Sequence, residues 1–108
     1  WVSAWPEHKV TVLADDLFHP HSLALADMDG DGRLDIFVAE MGLGKNPSPK
    51  ILIYLNKGDG VFERSVVDEC YGTHDSKVGD IGKTGRMSIV GKPYVPDNHV
   101  HLWINQGQ

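Results

Sequence analysis

The chain repeats itself, and that repeat limits its fold more than any other feature. His21-Ser-Leu-Ala-Leu-Ala-Asp27 recurs in outline as His74-Asp-Ser-Lys-Val-Gly-Asp80, 53 positions later. Arg33-Leu-Asp-Ile-Phe-Val38 returns as Arg86-Met-Ser-Ile-Val-Gly91 at the same offset. Ile51-Leu-Ile-Tyr-Leu-Asn-Lys-Gly58 returns as Val100-His-Leu-Trp-Ile-Asn-Gln-Gly107, 49 positions on, so the second copy is shorter in the loop before this segment. Surface loops absorb such changes readily. Within each unit the apolar runs are short and bounded by Gly, Asn and Pro, which predicts strands at 22–26, 35–39, 51–55 and 61–67. Asn56-Lys-Gly-Asp-Gly60 between the last two carries the Asp-Gly hairpin signal.

A repeat of roughly fifty residues holding four short strands is the sequence form of one propeller blade. A further strand is expected at 9–13, ahead of the first unit. The predicted fold is therefore all-β: two four-stranded antiparallel blades with strands in the order d, a-b-c-d, a-b-c. One domain spans residues 1–108, divided into a lead-in with strand d over 1–20, a first blade over 21–67 and a second blade over 74–107 lacking its d strand. Composition agrees, with twelve glycines, six prolines and no amphipathic helical stretch. The net charge of -5, with no Lys/Arg cluster, argues against nucleic acid as a partner. No apolar run approaches the ~20 residues of a membrane helix. No signal peptide is present, and the chain starts at Trp1, as a processed or excised protein would. Cys70 is the only cysteine and reads as a small buried or idle thiol.

Four of the fifteen acidic residues fall within nine positions, Asp27-Met28-Asp29-Gly30-Asp31-Gly32-Arg33-Leu34-Asp35. Neighbouring anions repel and the glycines favour positive φ, so the run is a loop between strands, and a hard cation bound by oxygen resolves the repulsion. Carboxylates of Asp27, Asp29, Asp31 and Asp35 with the Arg33 carbonyl form a set for one Ca²⁺ per chain. An EF-hand is excluded because its twelfth position, where a bidentate Glu is required, is Val38. In the second unit the same positions hold Asp80, Gly82, Thr84, Arg86 and Ser88, with Lys83 in place of a glycine. One carboxylate beside an ammonium is a poor cation site, so this loop is expected to be metal-free, its shape held by Lys83 or by a hydrogen-bonded turn.

Asp-x-Asp-Gly-Asp-Gly-x-x-Asp after a strand, followed by Leu55-Asn-x-Gly-Asp-Gly-x-Phe62, resembles the FG-GAP/VCBS repeat. That family builds the calcium-bearing propellers of integrin α subunits and of many secreted proteins. The resemblance covers roughly residues 9–107 and implies an extracellular or periplasmic setting. The stretch from His74 to Ile89-Val-Gly-Lys-Pro-Tyr94 resembles a subset related to aldos-2-ulose dehydratase, a sugar lyase.

In a propeller the a strand lines the channel, so His21 and His74, each opening an a strand, belong near the axis on the face opposite the calcium loop. His19, Glu40, Met41, Asp75, Lys92 and Tyr94 come from loops of that same face. The histidines would suit Zn²⁺ or acid–base work near neutral pH, and Lys92 with Tyr94 would suit a sugar; plain hydrogen bonding to the loop backbone is the alternative. His99 and His101 share one side of their strand as packing or surface residues, Trp103 belongs to the core between blades, and Trp1 and Trp5 anchor the first strand. The function read from these residues is a calcium-stabilised propeller module for ligand binding or assembly, non-catalytic by itself. The competing reading is a metal-dependent lyase or hydrolase acting on carbohydrate. Two blades cannot close a ring, so the partners expected are one to three further copies or the remainder of a longer propeller.

Overall fold

The computed structural model describes residues 10–42, 48–92 and 99–106. Their regular structure is entirely β: β1 (Pro20–Ala26), β2 (Asp35–Glu40), β3 (Lys50–Gly58), β4 (Val61–Glu69), β5 (Asp75–Gly79), β6 (Ser88–Lys92) and β7 (His101–Trp103). The strands form two antiparallel sheets in sequence order, β1-β2-β3-β4 and β5-β6-β7. These are one whole blade and three strands of a second. Within each sheet every strand pairs with its neighbour in sequence. The β3–β4 turn shows the local chemistry: Asp59 and Gly60 both take positive φ, 55° and 77°. That geometry matches the right-handed twist of the flanking strands.

Of the strand expected over 9–13, the described residues 10–13 do not form one. Residues 10–13 are irregular and exposed, and Lys9 lies outside the described residues, as do Trp1, Trp5 and Tyr94. A strand needs a partner for its backbone, and residues 10–13 pair with none of the seven described strands. Of the two states expected for Cys70, buried or idle, the buried one is not found: it is exposed, at φ 70°, with Sγ 3.6 Å from Ser48 Oγ.

Period-two alternation gives the first blade two apolar faces. One packs through Ala26, Met28, Phe37, Ala39 and Ile51 on Ile89 of the second blade, with Val78, Met87 and Trp103 around them. The other gathers Val38, Leu52 and Tyr54 beneath Ala14, Leu17, Ile36 and Phe62. Where β1 and β5 lie side by side, the Ser76 amide donates to Ser22 Oγ at 3.0 Å. Trp103 takes the inter-blade place expected of it, its Nε1 donating to Asp68 Oδ2 at 2.8 Å.

Glu40 ties together the loops of one end. Its side chain is buried, and its carboxylate accepts the amides of Phe18 at 2.7 Å and Lys50 at 2.9 Å. Its carbonyl accepts the Thr73 amide at 3.1 Å, reaching the second blade. Truncation would strand two amide donors, each costing about 1–3 kcal/mol when left unsatisfied. Glu40→Ala is therefore expected to lower unfolding free energy in urea by roughly 3 kcal/mol. Glu40→Gln, which keeps one acceptor, should lose less. A Glu40→Ala midpoint equal to the parent's would show that the brace contributes nothing.

A candidate metal centre in the first blade

The loop between β1 and β2 is wound around its first aspartate. Asp27 Oδ1 accepts the amides of Gly30 (2.9 Å) and Asp31 (3.2 Å), and Oδ2 accepts that of Gly32 (2.8 Å). To aim those amides inward, Gly30 and Gly32 adopt φ of 77° and 86°, which a side chain would resist. The loop closes on Asp35, which is fully buried. Asp35 Oδ2 accepts the Met28 amide and Oδ1 the Asn56 amide, both at 2.8 Å.

Within this frame Asp27, Asp29 and Asp35 each place one carboxylate oxygen within 4.8 Å of the others. Oxygens bound to one Ca²⁺ at 2.3–2.6 Å can lie up to about 5 Å apart, so the spacing fits such an ion. Asp29 supplies the sharpest local signal. Its Oδ1 is buried and meets no hydrogen-bond donor among the described residues. Desolvation, reinforced by the charges of Asp35 and Asp31, pushes its carboxyl above the usual carboxylate range. Asp31 stands outside the trio. Its Oδ1 accepts the Arg33 amide at 2.9 Å and its Oδ2 the Arg33 guanidinium at 3.1 Å. The Arg33 amide leads in holding the Asp31 carboxyl below the usual range. The structure thus brings together three of the four expected carboxylates and pairs the fourth with Arg33.

The second blade repeats this loop with one carboxylate in place of four. Asp80 Oδ1 accepts the Thr84 amide (2.9 Å) and Oδ2 the Gly85 amide (2.7 Å), as Asp27 does at the matching positions. Thr84 Oγ1 accepts the Arg86 amide at 3.3 Å, standing in for Asp31. Ser88 Oγ accepts the Asn105 amide at 3.0 Å, standing in for Asp35. Lys83 takes φ of 56° where Gly30 has 77°. A hydrogen-bonded turn therefore holds this loop.

The sequence matches the FG-GAP-like repeat family over residues 27–91, from the first aspartate of this loop into β6, more than half of the chain. The chain belongs to that family. No curated protein and no solved structure matches it.

At the other end of the FG-GAP-like blades, His21 and His74 meet. Their rings lie 4.5 Å apart between centroids, tilted by 30°. The His74 amide donates to the Lys92 carbonyl (2.8 Å) and the Met41 amide to the His19 carbonyl (2.9 Å), so the loops expected on this face are joined. Lys92 is exposed at the end of β6. His99 and His101 form a different group, with Tyr71 5.2 Å and Trp103 5.6 Å from His101.

Sequence reasoning missed Asn56 and Asn105, whose amides close the two loops. Their matching repeat positions were the available signal. It also missed Glu40 as a brace, which no local pattern marks. Because one carboxylate holds the second loop, Asp80→Ala is expected to raise amide hydrogen exchange at Thr84 and Gly85 at least tenfold, while β6 stays protected. Unchanged exchange at both amides would mean the loop is held by something else.

Proposed function

We propose that the chain is a calcium-stabilised β-propeller module, non-catalytic by itself, that presents a ligand-binding face opposite its metal loop. Asp27, Asp29 and Asp35 hold one Ca²⁺ per chain, with Asp31 and the Arg33 carbonyl completing the oxygen shell. The observation that carries this reading is the enclosed Asp29 Oδ1, an anionic oxygen without a donor beside two other carboxylates. A cation bound there neutralises a repulsion that the metal-free loop has to bear. Calcium sites of extracellular modules bind at about 10⁻⁴–10⁻³ M, which suits a protein working outside the cytoplasm.

Binding to the folded form alone stabilises by about 2.7 kcal/mol at a hundredfold excess over Kd. Thermal melts in EGTA and in excess calcium should differ accordingly, and coincident curves would sink the proposal. Asp29→Ala is expected to abolish the shift. Asp31→Ala should reduce it less, because Asp31 is already paired with Arg33. Calorimetric titration should give about one ion per chain, the Asp80 loop contributing none.

The stacked His21 and His74 favour a second reading of the opposite face. Two imidazoles so placed suit a borderline metal such as Zn²⁺, and with Lys92 and Tyr94 they would make a carbohydrate-active lyase or hydrolase site. A His21→Ala/His74→Ala variant should keep its circular dichroism spectrum and lose the zinc binding or sugar binding that the parent shows. Equal binding by parent and variant places the ligand elsewhere.

A further inference from the structure

Of the four aspartates in the metal loop, Asp31 alone bonds to a cationic side chain among the described residues, and that cation belongs to the loop itself. Asp31 Oδ2 meets Arg33 Nη1 at 3.1 Å, while Oδ1 accepts the Arg33 amide at 2.9 Å. The two contacts differ in permanence. The amide is backbone and stays wherever the loop keeps its shape. The guanidinium ends a long, half-exposed side chain, and an exposed ion pair contributes little, so its partner can be exchanged.

Asp31 stands close to the other carboxylates. Its charge is among those that push the Asp29 carboxyl upward, after desolvation and the charge of Asp35. Arg33 for its part has a seat that does not depend on Asp31. Its Nε lies 3.5 Å, and its Cζ 3.7 Å, from where a Cβ on Gly58 would stand, so the guanidinium rests over bare backbone at the end of β3. The second blade supplies the comparison. At the same offset Thr84 replaces Asp31 and Arg86 matches Arg33, and Thr84 Oγ1 still accepts the Arg86 amide at 3.3 Å. The backbone half of the contact is kept in both repeats. The hydroxyl of Thr84 carries no charge for a guanidinium, so the ionic half is found in the loop crowded with anions.

We propose that Arg33 is the built-in counter-ion of the metal loop: its guanidinium holds Asp31 Oδ2 in the calcium-free loop, and Asp31 exchanges it for Ca²⁺ when the ion binds. This rests on the calcium reading above. Arg33 thereby sets the calcium concentration at which the loop fills, because the pair must break before Asp31 joins the oxygen shell. One oxygen is shared in turn by an internal and an external cation.

Calorimetric titration of the chain with calcium chloride at about 0.1 M salt, where exposed charges are screened beyond ~10 Å, tests the exchange. Arg33→Met keeps the backbone carbonyl and the length of the side chain, and should bind with a Kd up to about fivefold lower than the parent's, the range an exposed pair allows. Asp31→Asn keeps an oxygen for the Arg33 amide and removes the charge, and in that background Arg33→Met should leave Kd unchanged. In EGTA, Arg33→Met should lower the urea midpoint of the parent and leave that of Asp31→Asn where it was. A Kd no lower in Arg33→Met than in the parent overturns the proposal. So does an equal gain in both backgrounds, which makes Arg33 a distant charge only, or a midpoint in EGTA that Arg33→Met does not move. A parent that binds no calcium overturns the calcium reading itself, and this inference with it.

Discussion

A four-stranded antiparallel sheet alternates its side chains between two faces, and in this chain both faces are apolar. Everything else in the structure follows from that constraint. A blade with Phe37 and Ile51 on one side and Val38 and Leu52 on the other cannot rest with only one face covered. The second sheet covers one side. On the other the lead-in does what it can, laying Ala14 and Leu17 over Tyr54 while Leu23 and Leu25 remain in solvent.

The polar architecture rests on a smaller device. In both repeats an aspartate at the strand's end gathers the amides four and five residues ahead, and a polar side chain at the next strand's start accepts an asparagine amide. The shape of the loop thus belongs to the backbone and its first aspartate. What distinguishes the first loop is charge: Asp29 and Asp35 stand where the second has Gly82 and Ser88. The same scaffold is used once with a crowded set of anions and once without.

Much of this was legible in the residues. The repeat offsets led directly to the blades, to the loop and to the placing of His21 and His74 on one face, because each depends on local pattern and on a period that topology preserves. The first strand was misjudged for a physical reason. Lys9 to Leu13 has good strand composition, but composition describes willingness to pair and says nothing of whether a partner is within reach. Spacing could place Asp31 with the other carboxylates, but it could not reveal the ion pair with Arg33, two residues on. Glu40 was invisible as a brace, since its partners Phe18, Lys50 and Thr73 are gathered only by the folded chain.

Asn105 has a wider consequence. Its amide is held by Ser88 within its own blade, yet its side chain crosses the seam and donates to the Met28 carbonyl at 3.0 Å. Met28 sits inside the aspartate loop, and its own amide is bound to Asp35. The segment just after β7 in one blade is thus wired to the loop of its neighbour through a single residue, Met28. Whatever tightens that loop also steadies the strand next door, and by reciprocity a strand locked in place tightens the loop. In a closed ring such wiring would run from blade to blade, so that an event at one rim position is heard around the circle.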